Sequence, residues 1–485
     1  MNWLLSLEII YAVLVSLVCV RIIYETRTSA KALAYLLVVI FFPFFGILFY
    51  FSFGINYRKR ILYSKKPISD DSLWEKIKQD IYTNSLHTYS DIEEKYRPNK
   101  HLTKYLTSEL SPLTMGNMAA LLVNGEEKFP ALIKALEEAR EHIHIEYYIY
   151  ENDRIGQAIA DILIRKVKSG VAVRFIYDDF GSRGIRKNIS KKLKVAGIQV
   201  YPFYKIHFLR LANHLNYRNH RKIIVIDGRK AFVGGINISD RYINDDAYPA
   251  KNKVFWRDTH LVLEGPGVQY LQYLFICDWN FCSGMPLENI NQYFPAFSDK
   301  LPGDKIVQIA ASGPDSESPT VLYSLLYAIY QAQEEILVTT PYFIPEQSIL
   351  DALVMAALGG VAVKLLVPEK GDSKLVELAA NSYYEDLLDA GVKLFFYKKG
   401  FVHAKTIVVD KQLAIIGTAN MDYRSFDLNF EVNAIVYDRG LAAQLADTFQ
   451  SDLNDAVEID KMAWPRRSRY KKFLENSARL VSPLL

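Results

Sequence analysis

Residues 219–237 read NHRKIIVIDGRKAFVGGIN, and residues 402–420 read VHAKTIVVDKQLAIIGTAN. Both fit HxKxxxxDxxxxxxGxxN without a gap, placing His220, Lys222 and Asp227 against His403, Lys405 and Asp410. A lone HxK carries almost no information, because a histidine on a strand is most often packed or hydrogen-bonded. The same spaced pattern twice in one chain points instead to an internal duplication.

Working outward, each copy repeats further landmarks in the same order. GVAVRFIYDDFGS begins at Gly170 and GVAVKLLVPEKGDS at Gly360; LKVAGIQVYPF begins at Leu193 and LLDAGVKLFFY at Leu387. Ahead of these, ALEEAREHIHIEYYIY and AIYQAQEEILVTTPYFI each join a helical period to an apolar strand. Short β-branched runs alternating with helical segments predict an α/β fold in each copy, and so two similar lobes. Domain limits of 116–295 and 296–485 follow, with 61–115 as a linker. The first copy carries about eleven extra residues before its histidine, within Lys205–Arg218, which are expected to form a loop at the mouth of the site.

Parity along the strands gives the motif a chemical meaning. His and Lys at i and i+2 project from one face, whereas the Asp, seven positions after the His, points to the other. One face thus offers an imidazole beside an ammonium, a pairing suited to attack on a phosphodiester. Asp227 and Asp410, though part of the motif, are expected to support strand and turn from behind. GGIN and GTAN then end on Asn237 and Asn420, where a small-residue turn allows close approach of a phosphate and the amide adds a donor. A neutral attacking imidazole also needs an acceptor on its other nitrogen. Asp258 in WRD and Glu431 in NFE, at comparable distances after their histidines, are the candidates. Glu146, Tyr148 and Tyr342 line the cleft by repeat position or simply pack; His142, His144 and His260 read as packed histidines.

The chain has 485 residues and a net charge of +4, too small for a generic polyanion binder. Three cysteines, Cys19, Cys277 and Cys282, lack zinc-ligand spacing and read as reduced thiols, and no metal site is expected. The first 60 residues are different in kind. Nearly unbroken apolar runs at about 3–23 and 32–53 are each long enough to cross a bilayer, which predicts a transmembrane hairpin, with the Pro43 to Gly46 interruption of the second run tolerable inside a membrane helix. Arg58, Lys59, Arg60, Lys65 and Lys66 follow it, against Arg21, Arg27 and Lys31 near the connecting loop, and this excess favours a cytoplasmic catalytic portion on a multi-pass cell-membrane protein. A C-terminal run, RRSRYKKFLENSARL, mixes cations with apolar residues and fits either a membrane surface or a solvated helix packed on the second lobe.

NHRKIIVIDG and VHAKTIVVD with GTANMDYRSFDLNFE resemble the two HKD motifs of the phospholipase D superfamily, in the form found in bacterial cardiolipin synthases. The resemblance extends to the N-terminal hairpin, YYI and PYF, WRDTH at Trp256 and the terminal SPLL; Gly235 and Thr418 stand where the wider superfamily often has other residues. It implies two pseudo-symmetric phospholipase D-like lobes with a duplicated mixed sheet flanked by helices. It further implies metal-independent, cofactor-free transfer of a phosphatidyl group between two phosphatidylglycerols at the bilayer, through a phosphatidyl-histidine. His220 would be the nucleophile and His403 the acid and base, although the near-symmetry of the halves is compatible with the reverse. Hydrolysis, or transfer to another alcohol, is the main alternative; a nuclease and a non-catalytic scaffold are disfavoured, and no nucleic-acid partner is expected. The sequence does not set the oligomeric state.

Overall fold

The computed structural model describes residues 3–26, 29–51, 99–204, 217–245, 248, 254–297 and 301–482. The N-terminal helices form one unit and both copies of the repeat form another. The stretch 205–216, most of the expected loop, lies outside the described residues, as do Arg58 to Lys66.

In the N-terminal unit the first apolar run is a helix, Trp3–Glu25. The second run, expected as one span over 32–53 interrupted at Pro43 to Gly46, is divided into Ser29–Phe41 and Pro43–Phe49. Pro43 lacks a backbone donor and its ring clashes with the preceding turn, so the helix breaks there. Val18 and Ile22 pack against Val39 and Tyr50, so the helices do form a hairpin. Among the described residues, however, no helix is long and apolar enough to cross a membrane.

In the larger unit, one sheet runs through both copies. In the first lobe the order from the outer edge is Gln199–Phe203, Ala172–Asp178, His142–Tyr147, Lys222–Ile226, Lys230–Gly234, Thr259–Glu264 and Thr114–Val123. Thr114–Val123 pairs antiparallel with Lys305–Ser312, and the second lobe continues through Asn429–Tyr437, Leu413–Gly417, Thr406–Val409, Glu335–Thr339, Ala362–Pro368, Lys393–Tyr397 and Ala456–Glu458. Parallel and antiparallel pairs are mixed in both halves, as expected for the duplicated mixed sheet.

The repeated landmarks have local causes. Gly170 and Gly360 take φ of +93° and +96° in the turns after their helices, a conformation that costs glycine little. Asp227 and Asp410 also lie in the left-handed region, at φ +52° and +51°. The strands IIVI and TIVV are buried on both faces. Ile224 and Ile226 enter the outer core of the first lobe, while Ile223 and Val225 join Val408, Ile416, Val432 and Val436 of the other lobe in a shared inner core. This burial explains their continuous apolar reading.

The expected linker is not wholly a linker. Residues 61–98 of it lie outside the described residues, but the helix Lys100–Ser108 packs Leu102 and Leu106 with Ile306, Val321 and Leu325 in the second lobe's core. The first strand starts at Thr114, ahead of the boundary placed at 116.

Candidate active site

The two motifs meet through short parallel pairings. Arg218–Asn219, just before His220, pairs with Asn429–Phe430, and Gly400–Val402, just before His403, pairs with Phe255–Arg257. The His220 backbone N–H donates to the Phe430 carbonyl at 3.0 Å, and the next residue, Glu431, receives His220 Nδ1 at 2.9 Å on either carboxylate oxygen. The arrangement recurs with the halves exchanged. His403 N–H donates to Arg257 O at 2.6 Å, and Asp258 receives His403 Nδ1 at 2.7 Å. Each histidine is therefore held by the acid of the other lobe. A carboxylate can only accept, so each Nδ1 carries the proton and each Nε2 is left with a lone pair.

Lys222 and Lys405 complete the cluster. Lys222 Nζ donates to the His220 carbonyl at 2.7 Å, and Lys405 Nζ donates to the His403 carbonyl and sits 2.9 Å from His403 Nδ1. Burial, with the neighbouring lysines, pushes His220 down to about 4 and His403 down to about 3, so both rings are neutral near pH 7. Burial also lowers the lysines, Lys222 to about 7 and Lys405 to about 8. Although burial opposes it, His220 and Lys222 hold Glu431 below its usual range. Each histidine feels the lysine of the other motif, as it would if the four groups share one site.

The motif aspartates lie elsewhere, as their parity requires. Asp227 accepts the backbone N–H groups of Arg140, Glu141 and His142 at 2.8–2.9 Å, and Asp410 those of Gln333, Glu334 and Glu335 at 2.8–2.9 Å. Each ties its hairpin turn to the start of the neighbouring strand, and neither contacts a motif histidine. The two asparagines differ. Asn237 Oδ1 accepts from Ile149 N at 3.2 Å and its Nδ2 donates to the Tyr242 hydroxyl at 2.7 Å, so its amide is already engaged. Asn420 is buried, with no partner for Oδ1 among the described residues.

Of the residues expected to line the cleft or pack, Tyr148 stands edge-on to His220, with ring centres 4.8 Å apart, beneath Lys222 Nζ at 5.4 Å. Tyr342 donates to Asp372 at 2.6 Å. Glu146 is buried under the motif strand and is held by Asn219 Nδ2. His142 and His144 share the Gln272 amide, which is a packing role.

Three features escaped the motif reading. Arg221 pairs with Asp278 in the interior, and burial, together with Asp278, pushes Glu146 beside them well above the carboxylate range. Their signal was the NHRK and VHAK difference around otherwise matched histidines. Lys128 is fully buried, with Nζ 3.5 Å from Ile236 O and 3.4 Å from Asn237 O; nothing in the sequence around it marks that placement. Thr418 donates its hydroxyl to Glu431, whereas at Gly235 a Cβ would lie 2.1 Å from Asp258 Oδ1. The side chains present at these positions thus follow the room left by each acid.

Residues 132–252 and 325–453 match the family described as "Cardiolipin synthase, PLD-like domain", and residues 12–54 match "Phospholipase_D-nuclease N-terminal". Among curated proteins, cardiolipin synthase 2 of Bacillus anthracis is 42% identical over 469 residues, spanning 96% of this chain and 88% of the relative. The major cardiolipin synthase of Bacillus subtilis strain 168 is 39% identical over 492 residues, spanning 99% of each. A phosphatidylserine synthase from Haemophilus influenzae Rd KW20 superposes with a TM-score of 0.60 at 15% identity, over 80% of this chain and 99% of that one, a likeness of fold alone. On the domain match and these near full-length relatives, the chain belongs to the phospholipase D-like cardiolipin synthase family.

Proposed function

We propose that the protein is a cardiolipin synthase that transfers a phosphatidyl group from one phosphatidylglycerol to another, releasing glycerol. Its relatives' names point to the product. The observation that carries the chemistry is the crossed pairing of two neutral histidines with buried acids, next to two lysines.

His220 Nε2 attacks the phosphorus of the first lipid, the bond to the glycerol oxygen breaks, and His403 gives the glycerol its proton. A phosphatidyl-histidine results. His403 then takes the proton of a terminal hydroxyl on the second phosphatidylglycerol; that oxygen attacks phosphorus, the P–N bond breaks, and cardiolipin leaves. In the free protein His403 is neutral, but a phosphodiester anion between the lysines favours its protonated form, which the first step needs. Lys222 and Lys405 meet the charge that builds on the phosphoryl oxygens in a largely dry site, so the reaction is proposed to need no metal. Asn420 and Asn237 are proposed to add amide donors, Asn237 through the Nδ2 hydrogen that its bond to the Tyr242 hydroxyl leaves over. Glu431 and Asp258 are proposed to orient the rings, and Asp227 and Asp410 to hold the motif strands.

The N-terminal helices are proposed to anchor the chain in the cell membrane with the catalytic unit on the cytoplasmic side. The apolar composition of the two runs and the cation excess after the second support this reading.

The test uses the purified chain in mixed micelles with labelled phosphatidylglycerol and no divalent metal. Cardiolipin with equimolar glycerol, absent from His220→Ala, is expected. Phosphatidic acid alone would mean that water is the acceptor.

A further inference from the structure

The C-terminal helix Arg469–Arg479 turns its apolar side chains the wrong way for a helix packed on a protein. Ser468 caps it, accepting the Lys471 N–H at 3.2 Å. The side against the second lobe is held largely by polar contacts. Glu475 is buried and takes Arg467 Nη2 at 2.8 Å, Lys472 pairs with Glu385 at 3.0 Å, and Arg479 reaches Asp386 at 3.6 Å and lies 4.3 Å over the Tyr383 ring. Ala478 adds a small apolar contact to the second lobe's core.

The opposite side carries Tyr470, Phe473 and Leu480, at 72%, 66% and 82% exposure. Spaced i, i+3 and i+10, they form one stripe. Arg466 and Arg469 are exposed around its N-terminal end, and their side chains have no partner among the described residues, whereas Arg467, Lys472 and Arg479 on the inner side are paired. A helix docked only for stability would bury Phe473 and Leu480 and leave Glu475 outside. An outward apolar stripe with unpaired cations beside it suits a surface that is apolar within and anionic at its boundary.

We infer that this helix is an interfacial contact through which the catalytic unit sits on an anionic bilayer, with Tyr470, Phe473 and Leu480 entering the acyl boundary and Arg466 and Arg469 meeting lipid phosphates. The inference stands on the helix alone and does not depend on which reaction the chain catalyses.

The full chain carrying Phe473→Trp is reconstituted in vesicles of phosphatidylcholine alone and of phosphatidylcholine mixed with phosphatidylglycerol. The unmodified chain, with its five tryptophans, serves as the baseline. The added emission should shift to the blue and be quenched by acyl-brominated lipid in the anionic vesicles, and much less in the neutral ones. Adding Arg466→Glu and Arg469→Glu should abolish the quenching; in the otherwise unmodified chain those two changes should raise KM for surface lipid roughly tenfold or more with kcat unchanged. Emission that stays unquenched in both vesicles overturns the inference. So does quenching that is equal in both, or a blue shift that depends on protein concentration without lipid, which would assign the stripe to a second copy of the chain. Because quenching needs no turnover, this result stands apart from the assay for cardiolipin.

Discussion

The strands bearing His220 and His403 present the same imidazole and ammonium but are supported in different ways. Asn219 and Arg221 flank the first histidine, Val402 and Ala404 the second. Beneath the first lies a buried polar network in which Asn219 holds Glu146 and Arg221 holds Asp278. At the position of Glu146 the second lobe has Thr339, on the strand paired with Thr406–Val409. The second histidine is ringed by three aromatic side chains, Trp256 at 5.4 Å, Phe401 at 5.9 Å and Tyr242 at 6.0 Å, where the first has Tyr148 at 4.8 Å. The two halves share the geometry of the motif and differ in what lies around it. If His220 is the nucleophile proposed above, the charged network fixes the strand of the ring that would hold the covalent bond.

The crossed acids offer the sharpest way to break that comparison. Replacing the acceptor of a catalytic histidine by its amide loses the fixed tautomer and typically costs on the order of 10⁴-fold. Glu431→Gln should cost about that in transfer and suppress the labelled phosphatidyl adduct trapped in a single turnover, because Glu431 serves His220. Asp258→Asn, serving His403, should slow transfer about as much but let some adduct accumulate. The reverse pattern of trapping would exchange the roles of the two histidines.

That crossing was not legible in the sequence. Asp258 and Glu431 were both visible as candidates, each following its own histidine at similar spacing, but partnership across lobes depends on Asn429–Phe430 and Phe255–Arg257 lying beside strands distant in the chain. What could be read was local or repeated. Strand parity placed Asp227 and Asp410 behind the site, and the duplication separated the motif from chance. The contact of Asn237 with the Tyr242 hydroxyl was hidden too, because it comes from a turn whose position no spacing reports. The helix Lys100–Ser108 was hidden for a similar reason: Leu102 and Leu106 show a short apolar stripe, but only the second lobe's core makes it a structural element. In the N-terminal unit the interruption at Pro43 was legible in the sequence, and it is where one helix ends and the next begins.

The buried network should show itself next, in stability. Arg221→Ala leaves the Asp278 carboxylate in the interior without its guanidinium, which should cost about 3–5 kcal/mol in denaturant unfolding. Glu146→Gln is the contrasting change. Burial, together with Asp278, holds Glu146 well above the usual carboxylate range, and the amide is close to an isostere of the protonated acid. Its cost should stay under about 1 kcal/mol. Equal losses from the two variants would mean that Glu146 is charged, and that Arg221 serves both acids.

The smallest effect concerns the lysines and is read in the pH profile of kcat/KM. Both histidines titrate far below neutrality, His220 at about 4 and His403 at about 3, so neither sets a limb in the free enzyme near pH 7–8. The lysines do, because burial brings Lys222 down to about 7 and Lys405 to about 8. An ammonium is charged below its pKa and neutral above it, and a phosphoryl group needs the charge. Activity should therefore fall as pH rises through this range, by roughly tenfold per unit for each lysine whose charge is required. Lys222→Arg keeps its charge throughout, so the limb should move up by about one unit, to that of Lys405. Lys405→Arg should leave the limb where Lys222 places it. If instead the profile is flat up to the ordinary lysine range, burial does not neutralise these ammonium groups, and the two strands present the substrate with a fixed double charge.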